Sequence, residues 1–126
     1  MNTTDHPPIK TMSPLFVVSN LEKSLAYYTQ QLGFRIDFRY EDFYAGIVKD
    51  GCSIHLKLGN PNKEERTLRK EKEHIDLTFS ISQIDDFFAI AQTKGLNIIQ
   101  QLREMPYGKE FYIADPDGYL LSFLEV

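Results

Sequence analysis

His55 is the side chain of this sequence best suited to chemistry. It stands in the run Cys52–Leu58, where Cys52, Ile54, Leu56 and Leu58 alternate with Ser53, His55 and Lys57. A strand there turns the imidazole to the face opposite the apolar one. In that place it can hydrogen-bond a ligand, act as a base near neutral pH or ligate a metal; it can equally stand as an ordinary half-exposed strand histidine. Asp76 raises the same question, because strand interiors disfavour aspartate and it falls among Ile75, Leu77 and Phe79. A pocket that needs a polar group, or an ion pair with an arginine, would account for it. His74 lies two residues earlier on the same strand face, beside a charged stretch that would keep it solvated. Tyr107, directly before Gly108, reads by itself as loop packing. Alternation puts the single cysteine, Cys52, on the apolar side, as a small buried hydrophobe and not a nucleophile. No HExxH, GxSxG, GxGxxG or P-loop pattern occurs.

Two similar sets of elements are expected to position these side chains. Order begins near Ser13 with the apolar run Leu15-Phe16-Val17-Val18. Ser19 and Glu22 have capping-box spacing, Leu21, Leu25, Tyr28 and Leu32 follow at helical intervals, and Gly33 supplies the stop. Three strands come next: Arg35–Tyr40, which alternates charged with apolar residues, then Phe43–Val48, then Cys52–Leu58 after the hairpin signal Asp50-Gly51. The stretch Lys63–Glu73 mixes charges around a single apolar residue, Leu68, which suits a solvated connector or a lid over a pocket.

The order then repeats. His74–Ile81 reads as a strand, Ser82 and Asp85 as a capped start, and Ile84, Phe87, Phe88 and Ala91 as a helix ended by Gly95. Asn97–Arg103, Lys109–Ala114 and Tyr119–Val126 read as three more strands, the last two joined by the turn Asp115-Pro116-Asp117-Gly118. Ser19-Asn20-Leu21-Glu22 matches Ser82-Gln83-Ile84-Asp85 at an offset of 63, and Asp50-Gly51 matches Asp117-Gly118 at 67. Each half is strand, helix, three strands. One such unit leaves a sheet face bare, so the second is expected beside it.

Composition narrows the function classes. The chain has 126 residues, 14 basic and 18 acidic side chains and a net charge of −4, without a basic stripe, so nucleic acid is not expected as a partner. No apolar run reaches the roughly 18 residues that span a bilayer, and no apolar h-region opens the chain. A lone cysteine rules out an internal disulfide and suits a cytoplasmic setting, in which the acceptor pattern Asn2-Thr3-Thr4 is a chance match. The expected organisation is a polar arm over residues 1–12 and one domain over 13–126. Within it, module one covers about 13–58, a charged connector 59–73 and module two about 74–126.

A duplicated βαβββ unit with these signposts resembles the vicinal oxygen chelate superfamily, which includes glyoxalase I, extradiol dioxygenases and bleomycin-resistance proteins. The resemblance rests on Val18-Ser19-Asn20-Leu21-Glu22-Lys23-Ser24-Leu25-Ala26-Tyr27-Tyr28 with Leu32-Gly33-Phe34, and on Phe111-Tyr112-Ile113-Ala114-Asp115-Pro116-Asp117-Gly118-Tyr119-Leu120. It implies an α+β fold in which two tandem βαβββ modules form a cupped, mostly antiparallel sheet with helices outside and a small molecule inside. Metal-dependent members place one ligand on the first and last strand of each module. Carried over by the helix and hairpin anchors, those positions are Ser13, His55, Asp76 and Ser122. The set departs from the family's pattern, mostly His and Glu, because a neutral serine is a weak ligand for a divalent ion.

Two functions follow from the resemblance. One is a homodimeric protein of the bleomycin-resistance type that binds a small organic or antibiotic-like ligand without a complete metal site. Its ligand-binding residues are expected to be Ser13, His55, Asp76, Ser122, Phe38, Tyr107 and Phe111. The other is a lyase, isomerase or dioxygenase that uses Zn, Ni, Mn or Fe, with His55 and Asp76 joined by His74 or by a partner chain.

Overall fold

The computed structural model describes residues 5–126; the acceptor pattern at Asn2 and the first part of the expected arm lie outside the described residues. Residues 5–12 are exposed and belong to no strand or helix. Two four-stranded sheets follow. The first is ordered β1-β4-β3-β2, with β1 Leu15–Val18, β2 Arg35–Tyr40, β3 Tyr44–Lys49 and β4 Cys52–Leu58. The second is ordered β5-β8-β7-β6, with β5 Leu77–Ser80, β6 Asn97–Met105, β7 Gly108–Ala114 and β8 Leu120–Glu125. In each sheet the first strand runs parallel to the last and the other pairings are antiparallel. This is the expected α+β architecture of two tandem βαβββ modules.

One face of each sheet is apolar because alternate residues are. Phe16, Val18, Ala45, Ile47, Ile54 and Leu56 of the first sheet and Phe111, Ile113, Leu121 and Phe123 of the second join a single buried cluster with Leu21, Leu25 and Tyr28 of the first helix and Ile84 and Ala91 of the third. The two modules share that core directly. Tyr28 donates a 2.7 Å hydrogen bond from its hydroxyl to Asp115 of module two.

Three expectations about helices are corrected. The first helix, α1 (Leu21–Ala26), is capped by Asn20, whose side chain accepts from the Lys23 amide at 3.0 Å. Ser19 is drawn away from that role and donates its hydroxyl to Asp117 at 2.6 Å. The helix continues as a wider π turn, Tyr27–Gln31. Lys63–Glu71 is not irregular connector but a helix, α2, capped by Asn62 at the Glu65 amide (2.9 Å), with Glu64 and Glu65 at its start and Arg69 and Lys70 at its end. Charges so ordered complement the helix dipole, so α2 forms although none of its residues is buried. The third helix, α3 (Ile84–Thr93), is capped not by Ser82 but from the last strand: the Ile84 amide donates to the Glu125 carboxylate at 3.0 Å.

The register also departs from simple alternation at one place. A bulge between Ile36 and Phe38 breaks the β2–β3 pairing. Beyond it Phe38 pairs with Gly46, in line with His55 on β4. The bulge thus moves Phe38 to the face that carries His55.

Candidate functional site

The open face of the first sheet is built around Gly46. Its missing side chain leaves room for the Phe38 ring, since a Cβ there would lie 2.2 Å from the ring's Cε1. Phe38 in turn meets the imidazole of His55 edge to face, with centroids 5.3 Å apart, and stacks on Tyr44 at 6.1 Å. Tyr44 and His55 share a 2.8 Å hydrogen bond between the phenol and Nδ1, which fixes the imidazole and leaves Nε2 for another partner. Ser13, on the approach to β1, is hydrogen-bonded to Ser53 of β4. Ser13, Phe38, Ser53 and His55 line a 570 Å³ cavity whose rim includes Arg35 and Asp37.

Asp76 lies directly ahead of β5, which starts at Leu77 and not at His74 as expected, and Ser122 lies on β8; neither lines that cavity. Asp76 is 10% exposed and held by the arginines of α2, with Arg66 at 3.0 Å and Arg69 at 3.1 Å, and its carboxylate accepts from the Leu120 amide at 2.8 Å. Of the two explanations offered for this aspartate, the ion pair is the one present. Ser122 is buried between Thr78 and Tyr112 in the register. His74 is exposed ahead of β5.

Two other expected residues need correction or relocation. Phe111 does not face a pocket; it is fully buried and packs on Phe87, Phe88 and Phe123. Its pairing with Phe123 puts it on the core side of β7, and Tyr112 takes the other side. Tyr107 is half exposed in the β6–β7 turn and donates to Glu110 at 2.7 Å. Cys52, expected to be buried, is exposed, because the core face of β4 begins only at Ile54.

Glu110 is the charged group that sequence reading missed. It is 3% exposed on β7 and accepts from Tyr107, from Arg103 at 2.9 Å and from Tyr112 at 3.0 Å. Burial pushes its carboxyl up, but the donors from Tyr107, Arg103 and Tyr112 outweigh that and hold it below the usual carboxylate range. Directly before Phe111-Tyr112, amid a strand of mixed polarity, it carried no signal of burial in the sequence.

The metal positions implied by the resemblance are engaged in other contacts. Ser13 is paired to Ser53, Asp76 is neutralised by two guanidinium groups, Ser122 offers a buried neutral hydroxyl, and His55 stands on the other sheet from Asp76. No three His, Cys, Asp or Glu side chains are grouped to hold a metal ion among the described residues. This donor set does not fit a divalent metal.

Two tandem βαβββ modules, each a four-stranded mixed sheet, are the fold that the resemblance implied. Residues 11–123 match the Glyoxalase/Bleomycin resistance protein/Dioxygenase superfamily, and the chain belongs to it. A lactoylglutathione lyase of Neisseria meningitidis serogroup A is 25% identical over 93% of this chain and 91% of its own length. Among solved structures, UcmS2 superposes with a TM-score of 0.73 at 17% identity over 92% of this chain and 98% of that one. TnmS3, an antibiotic-binding protein of Streptomyces sp. CB03234, does so with a TM-score of 0.71 at 20% identity over 95% and 98%. No helix is long and apolar enough to cross a membrane among the described residues.

Proposed function

We propose that this protein binds a small, flat organic ligand, of the antibiotic-like kind, on the open face of its first sheet and does so without a metal. The observation that carries the reading is the pair Phe38 and His55, braced by Tyr44, which with Ser13 brings stacking surface and hydrogen-bonding groups to one 570 Å³ cavity. Such a mixture of an apolar wall and a few placed polar atoms is what small-molecule sites require. The ligand's ring lies on Phe38, and a polar substituent takes Nε2 of His55. The name of TnmS3 describes binding of an antibiotic in a similar fold, which supports this choice over catalysis.

Leu15 pairs with His55 and Tyr40 with Tyr44 in the register, and at 50% and 64% exposure they give this face an apolar margin suited to a second copy of the chain. The protein is accordingly proposed to act as a homodimer, with light scattering at micromolar concentration as the check.

A thermal-shift screen against aromatic antibiotics tests the function, with binders then titrated against Phe38→Ala and His55→Ala. Stabilisation lost in both variants supports the reading. The lyase relative keeps a second reading in view, a divalent-metal enzyme. Stoichiometric Zn, Ni, Mn or Fe in protein purified without chelator, lost on His55→Ala, would replace the first reading by the second.

A further inference from the structure

The internal repeat makes the junction between the modules occur twice, and the two copies are filled differently. In the first, the ring of Tyr119 stacks on Phe16 at 4.2 Å and nearly parallel, with the Arg66 guanidinium 4.3 Å from its centroid. The Tyr119 hydroxyl donates to the Val17 carbonyl at 2.8 Å and accepts from the Val17 amide at 3.1 Å. Val17 lies on β1, an edge strand, so this phenol satisfies backbone groups that no neighbouring strand reaches. Asp117 completes the junction by accepting from the Ser19 amide and hydroxyl.

The offsets of 63 and 67 give the second junction its members. Phe79 corresponds to Phe16, Ser80 to Val17 and Ser82 to Ser19, while Asp50 corresponds to Asp117 and Cys52 to Tyr119. A cysteine therefore stands where the first junction has its tyrosine. β5 is the edge strand of its sheet. Ile81 directs its amide to Leu124 of β8, so the amide and carbonyl of Ser80 point the other way. No group among the described residues bonds to them there, and Asp50 pairs with Lys49 in place of Ser82. What occupies the junction is a 630 Å³ cavity lined by Cys52, Phe79, Ser80 and Ser82, with Phe34 and Phe123 behind.

We propose that this cavity is a binding site for a hydroxylated aromatic ring, a phenol or a fused-ring naphthol. The ring lies against Phe79 and its hydroxyl bridges the Ser80 amide and carbonyl, as Tyr119 does at Phe16 and Val17. The cavity is larger than one ring, so it also holds a second ring or a substituent, with Lys49 at the rim for an acidic one. The site is separate from the open-face cavity, with which it shares only the rim residues Lys49 and Asp50.

The test uses 6-hydroxy-2-naphthoate and 2-naphthoate, which differ only in the hydroxyl. Calorimetric titration should give an affinity about tenfold higher for the hydroxylated compound, the effect of hydrogen bonds to otherwise unpaired groups. Its amide shifts in NMR should centre on Phe79 and Ser80. Cys52→Tyr supplies the missing phenol from the chain itself, so it should weaken binding more than tenfold and raise Tm, while Cys52→Ser and His55→Ala should leave binding within about twofold. Equal affinity for the two compounds, undiminished binding to a folded Cys52→Tyr protein, shifts confined to the His55 face, or no binding at millimolar concentration would each overturn the proposal. Should Cys52→Tyr fail to fold, the compound pair and the shift map on the wild-type chain decide the matter alone.

Discussion

The hydroxyl of Tyr119 sits 2.8 Å from the carbonyl oxygen and 3.1 Å from the amide nitrogen of Val17, so one side chain of module two closes the outer edge of the first strand of module one. An exposed edge invites pairing with other chains. Here a phenol blocks it and ties the modules together at the same point. Removing only the oxygen isolates that role. Tyr119→Phe keeps the stack on Phe16 but leaves both Val17 groups unpaired, and should lower unfolding free energy by about 1–2 kcal/mol in urea titration. An unchanged midpoint would show that water replaces the phenol at no cost.

Asp115 ties the modules a second way and should leave a mark on the pH profile. Burial pushes its carboxyl up to about 6 from 3.8, against the hydrogen bonds it accepts from Tyr28, Tyr119 and Asp117. A value raised on folding means that the native state binds this proton more readily than the unfolded chain. Its stabilising contribution is therefore full below about pH 4 and lost as pH rises through 6, a change of about 3 kcal/mol. Asp115→Asn keeps an oxygen for the Asp117 and Tyr119 amides, at 2.9 Å each, and does not titrate. The variant should be more stable relative to wild type at pH 7.5 than at pH 4.5. Parallel profiles for the two proteins would contradict the assignment.

The repeat was legible because it depends on punctuation: Gly33 and Gly95 after the helices, Asp-Gly at both hairpins, and apolar alternation that has to match across a sheet. What the sequence hid were features set by contacts from far along the chain. Ser19 leaves its capping place because Asp117 reaches it, and Glu125 caps α3 from 41 residues away. The bulge at β2 shows no local sign, yet it decides that Phe38 faces His55. Phe111 and Tyr112 are neighbours of similar kind, and only the pairing of Phe111 with Phe123 assigns one to the core and the other to the open side. The arginine partners of Asp76 lie in a helix whose formation rests on charge order and capping, where apolar periodicity is silent.

Those arginines make Asp76 a structural anchor. It is nearly buried and pairs with Arg66, itself 12% exposed, and with Arg69. Asp76→Ala leaves guanidinium groups without a counter-charge and should cost about 3 kcal/mol. It should also free α2, read as faster amide hydrogen exchange across Lys63–Glu71. Loss of stability without any change in α2 exchange would assign the cost to the Leu120 amide, which Asp76 also holds.

The open-face site makes its own demand on Gly46. A Cβ at this position would press within 2.2 Å of Phe38 Cε1 and within 2.7 Å of Cζ. The ring is free to swing outward, and β3 is already extended, so the fold should tolerate Gly46→Ala with a change in stability of no more than about 1 kcal/mol. The stacking surface does not survive the swing, because Phe38 would leave both Tyr44 and His55. An aromatic ligand identified by thermal shift should therefore lose at least about tenfold in affinity in Gly46→Ala, a loss comparable to that in Phe38→Ala. Retained affinity in Gly46→Ala together with a displaced Phe38 would separate the ligand from this cluster and remove the ground for placing it there.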